Sequence, residues 1–135
     1  DIEPLGLTPG SRVEWRGIGL SIAPTEHGVP NFAVRVDDGA TSFAQSGDGR
    51  ATAHTRTLYD KLDLLIHECA WLDRASGSHS NVEDLERLFH QVQPRRLAVL
   101  HCGADQRAAI EARLVASIGE RAWFPRPGVA CDLGG

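Results

Sequence analysis

The 135-residue chain has no methionine, few aromatics (6% of residues, with a single tyrosine) and only three cysteines. Each shortage excludes something. Three cysteines, Cys69, Cys102 and Cys131, are an odd number with no pair at metal-ligand spacing, which argues against a disulfide framework. A reducing, cytoplasmic setting is expected. No apolar run approaches the length of a membrane span, and no signal peptide is visible. The net charge of −4 supplies no general attraction for nucleic acid, though a local basic patch remains compatible with it. The lack of methionine leads to the expectation of a processed or trimmed piece, the other reading being a removed start methionine. What remains is ordinary globular composition, 41% apolar and 24% charged, in a chain long enough for one domain with a core.

Pattern divides the chain in two. Residues 1–10, with two prolines and two glycines, read as a connector. Arg12–Arg16 and Ile18–Ile22 alternate as half-buried strands, and Phe32–Val36 makes a third. Asp38-Gly39 is a hairpin signal, after which Thr41–Ser46 returns. The pattern then turns to helices alternating with strands. A helix is expected over 51–62 from Leu58 and Leu62. Asp63–His67 and Arg96–His101 are continuous apolar runs of the kind found in strands covered on both faces. Between them Ser80 and Glu83 match a capping box, and Val82, Leu85, Leu88 and Phe89 form the inner face of a helix. Asp105 is the expected cap of a third helix, with Ile110, Leu114 and Ile118 inside it and Gly119 as its stop. Ala122–Phe124 and Val129–Leu133 read as short terminal strands. There is no internal repeat and no second domain.

Three strands run into ionisable residues: Phe43–Gln45 into Ser46-Gly47-Asp48, Leu64–Ile66 into His67-Glu68, and Leu97–Leu100 into His101. In open α/β sheets the carboxyl edge of the strands is where sites form. Asp48, Glu68 and His101 are therefore expected at one edge of one sheet, as a metal or acid–base site.

Four segments together resemble a metallo-β-lactamase-fold hydrolase, nearest the ribonuclease Z and phosphodiesterase-like branch. They are Glu26-His27-Gly28-Val29-Pro30-Asn31-Phe32-Ala33-Val34-Arg35-Val36, then Gln45-Ser46-Gly47-Asp48, then Asp63–Ala70, then Ser78-His79-Ser80 followed by Leu100-His101. The chain departs from that family in three places. Gly49 stands where threonine is usual, Cys69-Ala70 replaces Ala-Thr, and the His-x-His-x-Asp-His metal motif is absent. The resemblance implies a fold class of α/β, with residues 1–135 as the C-terminal half of an αβ/βα sandwich: a mixed sheet with helices on one face. It implies metal-dependent hydrolysis in the complete protein, of a phosphodiester or another ester, thioester or lactone. Two divalent metals are implied, zinc or alternatively manganese, which would bring the pKa of bound water to about 7.

In that reading Asp48 bridges the metals, His101 holds one, and His27 faces the substrate, an RNA or small phosphodiester. Glu68 orients His79, the proton donor to the leaving oxygen, which requires about 2.6–3.2 Å between them or one intervening water. His67 is read as structural, His54 and His90 as surface residues, and the cysteines as small core residues. The tryptophans, Trp15, Trp71 and Trp123, are read as core or inter-half packing. Two metal ligands fall short of the three that zinc sites normally take from protein. A complementary N-terminal half or a second copy of the chain is therefore the expected partner. The non-enzymatic alternative is a silent half-domain that acts only by association.

Overall fold

The computed structural model describes residues 6–130. Its strands are β1 (Arg12–Trp15), β2 (Ile18–Pro24), β3 (Phe32–Asp37), β4 (Ser42–Gln45), β5 (Leu64–Glu68), β6 (Arg96–Leu100) and β7 (Ala122–Trp123). Its helices are α1 (Ala53–Leu58), α2 (Val82–Val92) and α3 (Arg107–Ile118). The seven strands form one sheet in the order β1-β2-β3-β4-β5-β6-β7. Pairs from β1 to β4 are antiparallel, and pairs from β4 to β7 are parallel. The α/β class and the mixed sheet are as expected from sequence. The β3–β4 hairpin is closed by Asp38, whose Oδ1 accepts from the N–H groups of Ala40 and Thr41 at 3.0 and 2.8 Å.

Each parallel step crosses over through one helix and moves the same way along the sheet. Right-handed crossovers of that kind put every helix on the same face. The core lies between that helix row and the sheet. Leu65 and Val99 of the sheet are fully buried against Leu85 and Phe89 of α2 and Leu114 of α3. Each such side chain contributes roughly 1.5–3 kcal/mol by burial.

The strand register sets the composition of the opposite face. It aligns Leu20, Val36, Phe43 and Leu64 in one row, and Ile22, Val34, Gln45, Ile66, Ala98 and Trp123 in the next. No described helix covers these rows, and Trp15, Phe32, Phe43 and Leu100 are exposed there.

Several element boundaries differ from expectation. The first helix is only Ala53–Leu58, capped by Thr52, whose hydroxyl accepts from the N–H of Thr55 at 3.2 Å. The α2 cap is Asn81 with Asp84, one residue beyond Ser80 and Glu83. Ser80 cannot cap because Glu68 Oε1 accepts from its N–H at 2.6 Å and its carbonyl accepts from the N–H of Trp71 at 3.4 Å, so the chain is still extended there. Asp105 does not cap α3 either. Gln106 precedes Arg107 without a side-chain cap, and its Oε1 instead accepts from the N–H of Leu72 at 2.9 Å. Gly119 does end that helix. The strand expected at Ala122–Phe124 spans two residues, and Val129 and Ala130 are not in a strand. Residues 131–133, including Cys131, lie outside the described part. Among the described residues no helix is long and apolar enough to cross a membrane.

Candidate active site

Parallel pairing makes β4, β5 and β6 end together, and their ends carry the site. Gln45 aligns with Ile66, and Glu68 with Leu100. The next residues after these ends form a cleft of about 210 Å³ lined by Ser46, Gly47, Asp48, Glu68 and His101 among others. A larger hollow of about 630 Å³ lies elsewhere, between the β1–β3 corner and α1, and touches none of the site residues. The smaller cleft is the candidate site, because Asp48, Glu68 and His101 line it.

His101 Nδ1 lies 3.0 Å from Asp48 Oδ1, and both side chains are about half exposed. His101 has φ of +54°, a left-handed conformation uncommon for residues other than glycine. The turn redirects its imidazole just past the end of β6. The His79 ring stacks on that of His101, with centroids 5.4 Å apart and an interplanar angle of 24°. His27 meets His79 edge-on, at 5.0 Å and 80°. Asp48, His101, His79 and His27 therefore form a continuous series of side chains across the sheet edge.

Glu68 lies beneath this series, its side chain 1% exposed. Its Oε1 accepts from the N–H of Ser80 and its Oε2 from that of Ala70, at 2.6 and 3.2 Å. A buried carboxylate without such donors would be costly. These two bonds also fold the Ser78–Ser80 loop back over the end of β5. Glu68 Oε2 stands 3.6 Å from His79 Nδ1. That is an ion-pair distance, longer than the hydrogen bond expected from sequence. The buried His79 Nδ1 has no hydrogen-bond partner, so the Glu68 carboxylate is the polar group that faces it.

The structure therefore brings together all five residues singled out in the sequence: His27, Asp48, Glu68, His79 and His101. It leaves His54 and His90 exposed on α1 and α2. His67 is 1% exposed, with Nδ1 2.8 Å from the carbonyl oxygen of Glu68. Cys69 is fully buried, which pushes its thiol pKa up.

Two contributors had no distinct signal in the sequence. The buried Ser46 hydroxyl donates to the Gly47 carbonyl at 2.8 Å and accepts from the N–H of Glu68 at 3.1 Å, so it joins the Asp48 turn to the end of β5. Arg50 donates to the Ser76 carbonyl at 2.9 Å and pairs with Asp84 at 3.3 Å, tying the loop before His79 to α2. Neither a serine after a strand nor an arginine in a loop announces such a role in the sequence.

The chain superposes on the metallo-β-lactamase fold protein YhfI from Bacillus subtilis with a TM-score of 0.80 at 18% identity, over 93% of this chain and 54% of YhfI. The chain has the metallo-β-lactamase fold. Zn²⁺-bound PqqB from Methylobacterium extorquens carries the same fold, with a TM-score of 0.65 at 12% identity over 93% of this chain and 54% of PqqB. In sequence the chain is similar to a ribonuclease Z of Natronomonas pharaonis, 26% identical over 97% of this chain and 46% of that protein. No protein-family model matches. The chain thus spans about half the length of these metallo-β-lactamase-fold relatives.

Among the described residues no group of three or more His, Cys, Asp or Glu side chains could hold a metal ion. Asp48 and His101 do fit one as a pair. A carboxylate oxygen and an imidazole nitrogen suit zinc, and they converge at 3.0 Å on the open side of the cleft.

Proposed function

We propose that this chain is the C-terminal half of a metal-dependent phosphodiesterase of the ribonuclease Z kind. The observation that carries the proposal is the convergence of Asp48 and His101 at 3.0 Å beside a histidine backed by a buried carboxylate. Asp48 and His101 would hold zinc, or manganese, together with ligands from a complementary half. When bound, the metal supplies Lewis acidity and lowers the pKa of water. The chain's own residues supply the rest. Glu68, pinned by two backbone N–H groups, holds the His79 imidazole in orientation. His79 donates a proton from its outward nitrogen to the leaving oxygen, a role worth about 10²–10⁴ in rate. His27, edge-on to His79, contacts the phosphate of an RNA or a small phosphodiester. The chain's similarity in sequence to a ribonuclease Z favours a phosphodiester over another ester, thioester or lactone.

The partner proposed for the uncovered sheet face is the N-terminal half of the same fold, or a second copy of this chain. In the complete protein, Asp48→Ala lowers both bis(p-nitrophenyl) phosphate hydrolysis and metal content. Lost activity at full metal occupancy would put Asp48 outside the ligand set. His79→Ala lowers kcat by about 10²–10⁴ while metal content holds. Faster turnover of p-nitrophenyl acetate than of the phosphodiester would shift the substrate class to carboxylic esters.

A further inference from the structure

The Asp48 turn is held in place by a residue from another hairpin. The loop joining β2 to β3 lies on the segment that follows β4. Glu26 and Arg50 exchange backbone hydrogen bonds at 3.0 Å in both directions, and the Thr52 hydroxyl donates to the Pro24 carbonyl at 2.9 Å. Asn31 sits inside this junction. With its amide oriented to satisfy its neighbours, Oδ1 accepts from the N–H groups of Gly49 at 2.9 Å and Asp48 at 3.2 Å, and from the Thr25 hydroxyl at 2.6 Å. One side-chain oxygen thus occupies the two N–H groups that flank the Asp48 side chain.

The glycines on either side agree with this. A Cβ on Gly49 would collide with the Thr25 hydroxyl and come within 2.7 Å of the Asn31 amide, and one on Gly47 would come within 3.1 Å of Asn31 Cγ. Gly47 also has φ of +64°, which side chains disfavour. The turn is glycine on both sides because the Asn31–Thr25 pair fills the space that side chains would need. Gly49, a departure from the resembled family, is then matched by its neighbours.

We propose that Asn31 is a positioning residue, which fixes the Asp48 carboxylate opposite His101 through the backbone of the Gly47–Gly49 turn. The proposal rests on the reading of Asp48 as a metal ligand. Partners that orient a ligand typically contribute 10–100-fold to metal affinity. The same loop carries His27, so Asn31 ties the proposed phosphate contact to the proposed metal ligand.

The test uses the complete protein, with Asn31→Ala, Asn31→Asp and Asp48→Ala. Amide exchange read by NMR comes first. Asn31→Ala should speed exchange at Asp48 and Gly49 while Leu65 and Val99 stay protected, showing an intact sheet. Asn31→Asp keeps an acceptor oxygen and should restore protection. Zn²⁺ titration followed at the Asp48 and His101 resonances should show affinity falling about 10-fold or more in Asn31→Ala and recovering in Asn31→Asp. Unchanged exchange at Asp48 and Gly49 in Asn31→Ala would overturn the clamp. Faster exchange with wild-type zinc affinity, while Asp48→Ala loses affinity, would overturn the positioning role and leave the ligand reading intact. Zinc binding unaffected by Asp48→Ala would remove the ligand reading, and this proposal with it.

Discussion

His67 shows how a residue with no role in the proposed chemistry can still set a condition for folding. Its imidazole is enclosed, Nε2 has no partner, and the ring meets Tyr59 edge-on at 5.9 Å. Burial holds its pKa below the ordinary value of 6.5, against the smaller opposing effects of the Glu68 carbonyl and the Glu68 and Asp84 charges. The folded state therefore favours neutral His67. The stability this confers is fully present above the unfolded pKa and is lost as pH falls from about 6.5 toward the lower folded value. Thermal unfolding between pH 7 and 5 should show Tm declining with acid, with a slope of up to about 1.4 kcal/mol per pH unit. His67→Leu should flatten that decline, and an unchanged slope would assign the acid sensitivity to another group. The sequence separated this histidine from its neighbour because alternation along β5 turns adjacent side chains to opposite faces. His67 points at the helices while Glu68 points at the cleft. The roles of Ser46 and Arg50 could not be read the same way. Ser46 bonds only backbone groups, which carry no residue identity, and Arg50 joins the Ser76 carbonyl to Asp84, 34 positions away in sequence.

At the scale of the element, the cap of α2 lies one residue beyond the one expected from sequence. Asn81 with Asp84 has the same spacing as the expected Ser80 with Glu83. The choice is made by Glu68, twelve positions earlier, whose carboxylate takes the N–H of Ser80 and keeps that residue extended. Asn81→Ala should then cost about 1 kcal/mol, measured by denaturant midpoint, whereas Ser80→Ala should cost much less because its hydroxyl is not the cap. Equal losses for the two would return the cap to Ser80. The same logic explains the short α1. Leu58 and Leu62 fit a helical repeat, yet Lys61 takes a left-handed φ of +51° and its N–H donates to the Val92 carbonyl at 3.1 Å. Leu62 is buried as a result of packing after the helix has ended. Strands were legible because alternation and turn residues are local. Helix ends were less so because tertiary contacts fix them.

At the scale of the whole molecule, the described part of the sheet has one face under helices and one that no described helix covers. Exposed Trp15, Phe32, Phe43 and Leu100 belong to the second, and soluble monomers rarely expose apolar patches above a few hundred Å². The purified chain should self-associate in light scattering, and Phe43→Glu should shift it toward monomer without lowering Tm by more than about 1 kcal/mol equivalent, since an exposed site tolerates charge. A stable wild-type monomer carrying two tightly bound metals would overturn both the uncovered face as an interface and the half-site. The strand order has a different consequence, in time. Every strand from β2 to β7 pairs with the one made just before it. The antiparallel pairs of β1–β4 join neighbouring segments and favour rapid pairing, whereas the parallel pairs of β4–β7 wait for an intervening helix and form more slowly. During synthesis the sheet can extend one strand at a time as each emerges from the ribosome.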